Sequence, residues 1–296
     1  MLRRRLLVVL ATVVALGASA CAKSATTTHG SNTTSLSPFQ LVSQAASKTE
    51  AEKTAHMSMT MNINVGGQSV DVTGNGAVDI ENQAAQLTFD MSGIPGANGT
   101  ASFDMVLKDG SMYMKVPQSL AGQTPGGKSW IKIDISAFEK QAGLGVGGLS
   151  GGSMAAFDPA QTLAYLKGVS QSVTHVGSDT VDGASTEQFH IVIDMKKALD
   201  QVSGSMKCDL SSIESSLGDM TIPADVWIDD QGRLRRMTMD LTMNVPGSQQ
   251  SVGMTMQMDL TDFGTPVNVT APPADQVYDV TPSIPTQIPG CKTTNA

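Results

Sequence analysis

His56-Met57-Ser58-Met59-Thr60-Met61-Asn62-Ile63-Asn64-Val65 alternates apolar and polar residues without a break. A period of two over ten residues is the mark of a strand with one buried and one solvated face. Gly66-Gly67 follows as a turn. Val70, Val72, Val78 and Ile80 then keep an apolar face, with Gly74 and Gly76 on it, which predicts a bend or a bulge. Glu81-Asn82-Gln83 turns the chain again. Ala85, Leu87, Phe89 and Met91 alternate with Gln86, Thr88 and Asp90. Phe103, Met105 and Leu107 lead to Asp109-Gly110, a strong hairpin signal, and Met112, Met114 and Val116 return from it. The expected structure is an antiparallel meander, apolar on one side and polar on the other.

The same period returns downstream. Trp130–Ile135 is a short strand after a Pro/Gly-rich loop at 117–128. Strands are expected at 172–182 and 185–195, joined at Asp182-Gly183, and at 221–229, 233–245 and 251–263, the first two of these joined at Asp230-Gln231-Gly232. Two more methionine ladders lie here: Met237, Met239, Leu241, Met243 and Met254, Met256, Met258, Leu260. Helical patterns are few. One spans 38–54, with Pro38 in the first turn and Phe39, Leu41, Val42, Ala45 and Ala46 on one side. SAFEKQAG and DPAQTLAYLKGV are helical ends of the segment 136–167, and KKALDQV is a short helix. The expected class is α+β: one domain at 38–280, a large antiparallel sheet and a few helices.

The N-terminus sets the compartment. Arg3-Arg4-Arg5 precedes an uncharged run, Leu6–Ala20, that ends in Ala18-Ser19-Ala20-Cys21. This is the pattern of a secretion signal, residues 1–20. At 15 residues the run is short of the ~20 that a membrane span needs. Two readings fit the junction: a lipoprotein signal cut before a lipidated Cys21, or a plain secretory signal with Cys21 incidental. The cysteine stands where lipidation requires it, although Ala18 replaces the commoner leucine. Residues 21–37 then form a small, polar tether.

Without residues 1–20 the chain keeps 16 of its 19 basic residues against 27 acidic ones, a net charge of −11. An acidic chain with no basic run is a poor partner for nucleic acid or for anionic headgroups. Outside the cytoplasm the remaining pair, Cys208 and Cys291, is a disulfide candidate, with free thiols or a metal pair as alternatives. A link across that loop contributes roughly 4–5 kcal/mol by chain entropy.

Catalytic signals are weak. Gly143–Gly148 fits G-x-G-x-x-G and Gly148–Gly152 fits G-x-S-x-G, but both lie in the glycine-rich loop 143–153 and lack the strand, helix and parallel sheet these motifs require. The loop is then either a mobile lid or an inert connection. His29, His56, His175 and His190 are scattered, which gives zinc no support. The expectation is no enzyme, no cofactor and no resident metal. The M-x-M series leave one metal alternative open, an extracytoplasmic Cu(I) protein, because soft thioethers suit that ion. Against it, Ile, Val or Leu continues each series on the same face.

Met is flexible and polarizable, and suits an apolar surface that must fit varied partners better than a uniquely packed core. The expected lining is Met57, Met59, Met61, Leu87, Phe89, Met105, Met112, Met114, Ile191, Ile193, Met237, Met239, Met254, Met256 and Met258. An ordinary Met-heavy core under helices is the alternative.

The lipobox with its polar tether, the helix at 38–54, the amphipathic meander, IPADVWIDDQGRLRRM (222–237) and DLTDFGTPVNVTAPPADQV (259–277) together resemble the actinobacterial LppX/LprA/LprF/LprG lipoproteins. The resemblance covers roughly 38–280, with 281–296 as an extension, and includes no catalytic signature. It implies a LolA-like half-barrel, a curved sheet wrapping helices around an apolar cavity. It further implies binding of acylated lipids or lipoglycans and their transfer across the envelope. The protein would be a monomer anchored by lipid to the outer face of the cytoplasmic membrane, with a membrane transporter as a possible partner. An envelope-stress sensor that binds a protein partner is the alternative function on such a fold.

Overall fold

A computed structural model describes residues 36–94, 99–117, 124–141, 163, 168, 170–194, 196–197, 200, 221–244 and 251–283. Cys21, Cys208, Cys291, the glycine-rich loop 143–153 and the start of the tether lie outside the described residues. The chain from Leu36 onward is one compact unit.

Twelve strands form one sheet: β1 Thr54–Val65, β2 Gln68–Asp79, β3 Ala84–Ser92, β4 Ala101–Lys108, β5 Ser111–Lys115, β6 Trp130–Asp134, β7 Ser170–Val181, β8 Ala184–Asp194, β9 Thr221–Asp229, β10 Leu234–Asn244, β11 Ser251–Thr261 and β12 Val277–Asp279. Their order across the sheet is β12-β6-β5-β4-β3-β2-β1-β11-β10-β9-β8-β7. The sheet is thus two antiparallel meanders, β1 to β6 and β7 to β11, zipped together where β1 pairs with β11. Among the described residues only the short β12, parallel to β6, departs from the antiparallel pattern. The tight turns are those expected: Gly66-Gly67, Asp109-Gly110 and Asp182-Gly183 all take positive φ, as two-residue hairpin turns require.

Helix α1 runs Pro38–Glu50. Ser37 and Gln40 exchange hydrogen bonds in a capping box, and Pro38 occupies the first turn. The helix ends four residues before the expected position. Ala51 and Glu52 turn the chain, and Lys53, at φ 66°, redirects it into β1. Val42, Ala45, Ala46 and Thr49 are its buried side, packed over β7, β9 and β10. Helix α2 follows β6 directly, at Ile135–Gln141. Among the described residues no helix is long and apolar enough to cross a membrane.

One core unites these parts. Ala55 and Met57 of β1, Leu87 of β3, Met105 of β4, Ile191 of β8, Val226 of β9, Met237 of β10 and Leu260 of β11 join Val42 and Ala45 of α1. Ile135 and Leu163 belong to it too. β6 and β7 lie near opposite edges of the sheet, yet Ile135 after β6 and Leu163 before β7 share this core.

The registers of β2 run unbroken through Gly74 and Gly76, so the glycines make a close approach, not a bulge. A Cβ on Gly76 would strike the Gln86 carbonyl and stand 2.8 Å from Leu87 Cα. The backbone of β3 therefore leans into the space where β2 would carry a side chain. The bulges lie elsewhere, on β7 at Ser170/Ser172 and His175/Gly177 and on β10 at Leu234/Arg236.

A second, smaller core lies on the outer face, where Val269 packs on Ala84 and Val106 beside Tyr113 and Trp130. It belongs to the segment after β11, which crosses to the β6 edge. Lys132 pairs with Asp279 there, and the buried Thr281 accepts from the Asp134 N–H at 2.8 Å.

Candidate ligand-binding face

Antiparallel register turns three separate methionine ladders into one patch. Met237, Met258 and Met59 are consecutive cross-strand partners on β10, β11 and β1. Met239, Met256 and Met61 form the next row. Directly opposed residues on one face stand ~4.5–5.5 Å apart at Cβ, and rows two residues apart are separated by about 6.8 Å. Six thioethers thus share three adjacent strands. The first row continues through Gly74, Phe89 and Phe103 on one side and through Val226 and Phe189 on the other. The second continues through Val72 and Met91, and through Ala224, Ile191 and Val173. From β5 to β9 this face carries no ionisable side chain among the described residues.

Burial is graded along it. At the end where β1 starts, Ala55, Met57, Leu234, Met237, Met258 and Leu260 are all buried. Toward the other end Met59, Met61, Ile63, Met239, Leu241, Met254 and Met256 are half-buried, and Val65 is exposed. On β1, β11 and β10 the face is therefore covered at one end and more open to solvent at the other, with flexible side chains at the open end, whereas Ala224 on β9 and Ile191 and Ile193 on β8 stay buried at that level.

Polar contacts fasten the covered end. Thr49, fully buried at the end of α1, accepts the Leu234 N–H at 2.9 Å. Asp229, at the β9–β10 turn, accepts from Arg233, Arg235 and the backbone N–H groups of Gln231 and Arg233. Burial pushes the Asp229 carboxyl up, but the bonds from Arg233 and Arg235 outweigh it and hold its pKa below the ordinary value. Arg233 also reaches Glu52 at 3.2 Å, and both guanidinium groups lie over the Phe263 ring. This cluster ties the chain after α1 to the hairpin.

The open end has a gap in its hydrogen-bond ladder. Pairing of β9 with β10 stops at Ala224↔Met239, whereas pairing of β9 with β8 runs on through Pro223↔Val192 to Thr221↔Asp194. Proline has no N–H, and the ladder ends on the β10 side of Pro223. Ile222 and Leu241 flank this break, both half-buried.

All fifteen lining residues expected from the sequence fall on this face. Met57, Leu87, Phe89, Met105, Ile191, Ile193, Met237 and Met258 are part of the buried core. Met59, Met61, Met112, Met114, Met239, Met254 and Met256 are half-buried. Val72 and Phe103, read from periodicity as apolar-face residues but not counted in the expected lining, and Ile222, in phase with its strand's apolar residues, pack against the same core. No group of three or more His, Cys, Asp or Glu positioned for a metal occurs among the described residues.

An open twelve-strand α+β sheet with a helix on its apolar face is the class these features define. No family model matches the chain, and no curated protein does. Solved structures are similar to it at low identity. LprF from Mycobacterium bovis is 17% identical, with a TM-score of 0.40, over 79% of this chain and 96% of LprF. The lipoprotein LppX from Mycobacterium tuberculosis is 16% identical, with a TM-score of 0.43, over 79% and 98%. A putative outer membrane lipoprotein-sorting protein domain from Vibrio parahaemolyticus is 8% identical, with a TM-score of 0.26, over 78% and 93%.

Proposed function

We propose that this protein is a lipid-anchored envelope protein, held by Cys21, that binds an acylated lipid or lipoglycan on the apolar face and carries it within the envelope, without covalent chemistry. The graded part of the face supports this reading: on β1, β11 and β10 it carries no ionisable side chain among the described residues, is buried at one end and half-buried at the other, and has methionines at the accessible end. An acyl chain laid along it would exchange water for thioether and aliphatic contacts, at ~0.8 kcal/mol per buried CH₂. Strands of about ten residues are ~33 Å long, enough for a whole acyl chain. Methionine adapts to chains of different length and branching, as a carrier's surface must.

The test is native mass spectrometry of the chain from Ala22 onward, which keeps the whole compact unit from Leu36. The expected result is a lipid that copurifies, or that is taken up from mixed envelope lipids. A clean apo mass after such exposure overturns the reading.

A further inference from the structure

The methionine ladders present one chemical group at two levels of access. Met57, Met237 and Met258 are 0%, 2% and 2% exposed. Met59, Met61, Met239, Met254 and Met256 lie farther along the same three strands and are half-buried. Thioether oxidation follows access, and it turns a flexible apolar side chain into a polar one. The rows around these residues offer a new sulfoxide little to bond with, because among the described residues the face carries no ionisable group on β1, β2, β9, β10 or β11 and its strand neighbours there are Val72, Ala224, Ile63 and Leu241. A sulfoxide at this end must be hydrated, and water then occupies the surface that an apolar ligand would need.

We infer that the half-buried methionines of β1, β10 and β11 are a modification site, converted to sulfoxides by a hydroperoxide, and that this conversion turns off apolar binding while the fold persists. In the step the sulfur lone pair attacks the distal peroxide oxygen, an S–O bond forms and the O–O bond breaks. Sulfur loses two electrons, the peroxide is reduced, and with hydrogen peroxide the departing oxygen takes up the transferred oxygen's proton to leave as water. The fold persists because the sulfurs that hold the core together, on Met57, Met237 and Met258, are the protected ones. The converse also holds: an apolar ligand on the face covers the accessible thioethers and slows their oxidation. The ligand effect rests on the proposed lipid binding, whereas the order of oxidation rests on burial alone.

The experiment treats the full chain with hydrogen peroxide and follows three readouts: oxidation at each methionine by peptide mass spectrometry, binding of the fluorescent fatty acid cis-parinaric acid, and the cooperativity of thermal unfolding. The expected result is oxidation of Met59, Met61, Met239, Met254 and Met256 at least roughly ten-fold faster than of Met57, Met237 and Met258. Probe binding falls by a similar factor while unfolding stays cooperative. A variant with those five residues changed to leucine cannot form these sulfoxides, so the fraction of its own probe binding that peroxide removes is smaller than in the parent, Met91, Met112 and Met114 being half-buried methionines left on the face. Equal rates at the two groups, or loss of cooperative unfolding with the first sulfoxides, overturn the inference. So does unchanged probe binding by fully oxidised protein. If the reduced protein binds no probe, the carrier reading fails, and the rate ratio alone decides the modification site.

Discussion

The ring of Phe89 covers Gly74: a Cβ on Gly74 would stand 2.7 Å from the ring. Phe89 in turn stacks on Phe103, with ring centroids 5.3 Å apart. Glycine is therefore needed here for space, and the aromatic ring fills what the missing side chain leaves. Gly74→Ala should cost about 1–3 kcal/mol, since the ring must move off its partner. Gly76→Ala should cost more, because the obstacle is the β3 backbone and not a side chain. Gly253→Ala is the control. Its Cβ would meet only Asn64 Cβ at 3.9 Å, so loss of unfolded-state entropy should leave it neutral or stabilised by ~0.4–1 kcal/mol. Urea unfolding of the three variants gives the order, and equal effects at 74, 76 and 253 would contradict the close approach.

Asp229 should make the protein acid-labile. Its folded-state pKa lies below the unfolded value of ~3.9, so its contribution is complete above that pH and fades as pH falls through the folded-state pKa. Asp229→Asn leaves Arg233 and Arg235 without their buried partner, and a loss of about 3–5 kcal/mol at pH 7 is expected. The variant should also lose less stability than the parent between pH 5 and pH 3. Asp104 and Asp279 are lowered too, so the trend should weaken and not vanish. Parallel urea midpoints for parent and variant across that range would exclude Asp229 as a source of the pH dependence.

The two meanders were legible because their information is local: a period of two, and turns such as Asp109-Gly110 that admit positive φ. Their junction was not. Nothing within Met57–Val65 says that Val252–Leu260 will lie beside it, since that choice is made by two half-buried faces meeting. The end of α1 was misplaced because TEAEKTA is a good helical composition, and only Lys53 at φ 66° marks the turn. β12 and the outer core under Val269 left little trace, being short and set by tertiary contact. The lining residues were readable as a face, but not as a gradient. Met57 and Met61 both stand between polar residues, His56 and Ser58 for one and Thr60 and Asn62 for the other, and that local pattern does not tell the buried one from the half-buried one.

Thr49 stands in a polar run, SKTE, yet it is fully buried and serves as the acceptor for Leu234. Thr49→Val keeps the shape and removes the oxygen. A buried N–H without a partner costs ~1–3 kcal/mol. Thr49→Ser retains the acceptor and should cost less than the valine change. Thermal unfolding of both variants checks this, and the reverse order would mean that packing of the methyl group, not the bond, holds α1 to β10.

Pro223 interrupts the β9–β10 ladder where the apolar face opens. A residue with an N–H should extend that ladder toward Leu241, since β10 already continues there, paired with β11. Position 223 lies on the outer face and is exposed, so Pro223→Val introduces no clash with the lining. One added hydrogen bond contributes about 0.5–1.5 kcal/mol, and slow amide exchange at the substituted position, which lies opposite Asp240 in the continued register, should accompany it. If ligands enter through this break, the on- and off-rates of cis-parinaric acid should fall together while its affinity changes little, because closing a route alters the barrier and not the bound state. Stopped-flow measurement separates the outcomes. Unchanged rates beside a stabilised ladder would place entry at the exposed ends of β1 and β11, past Val65.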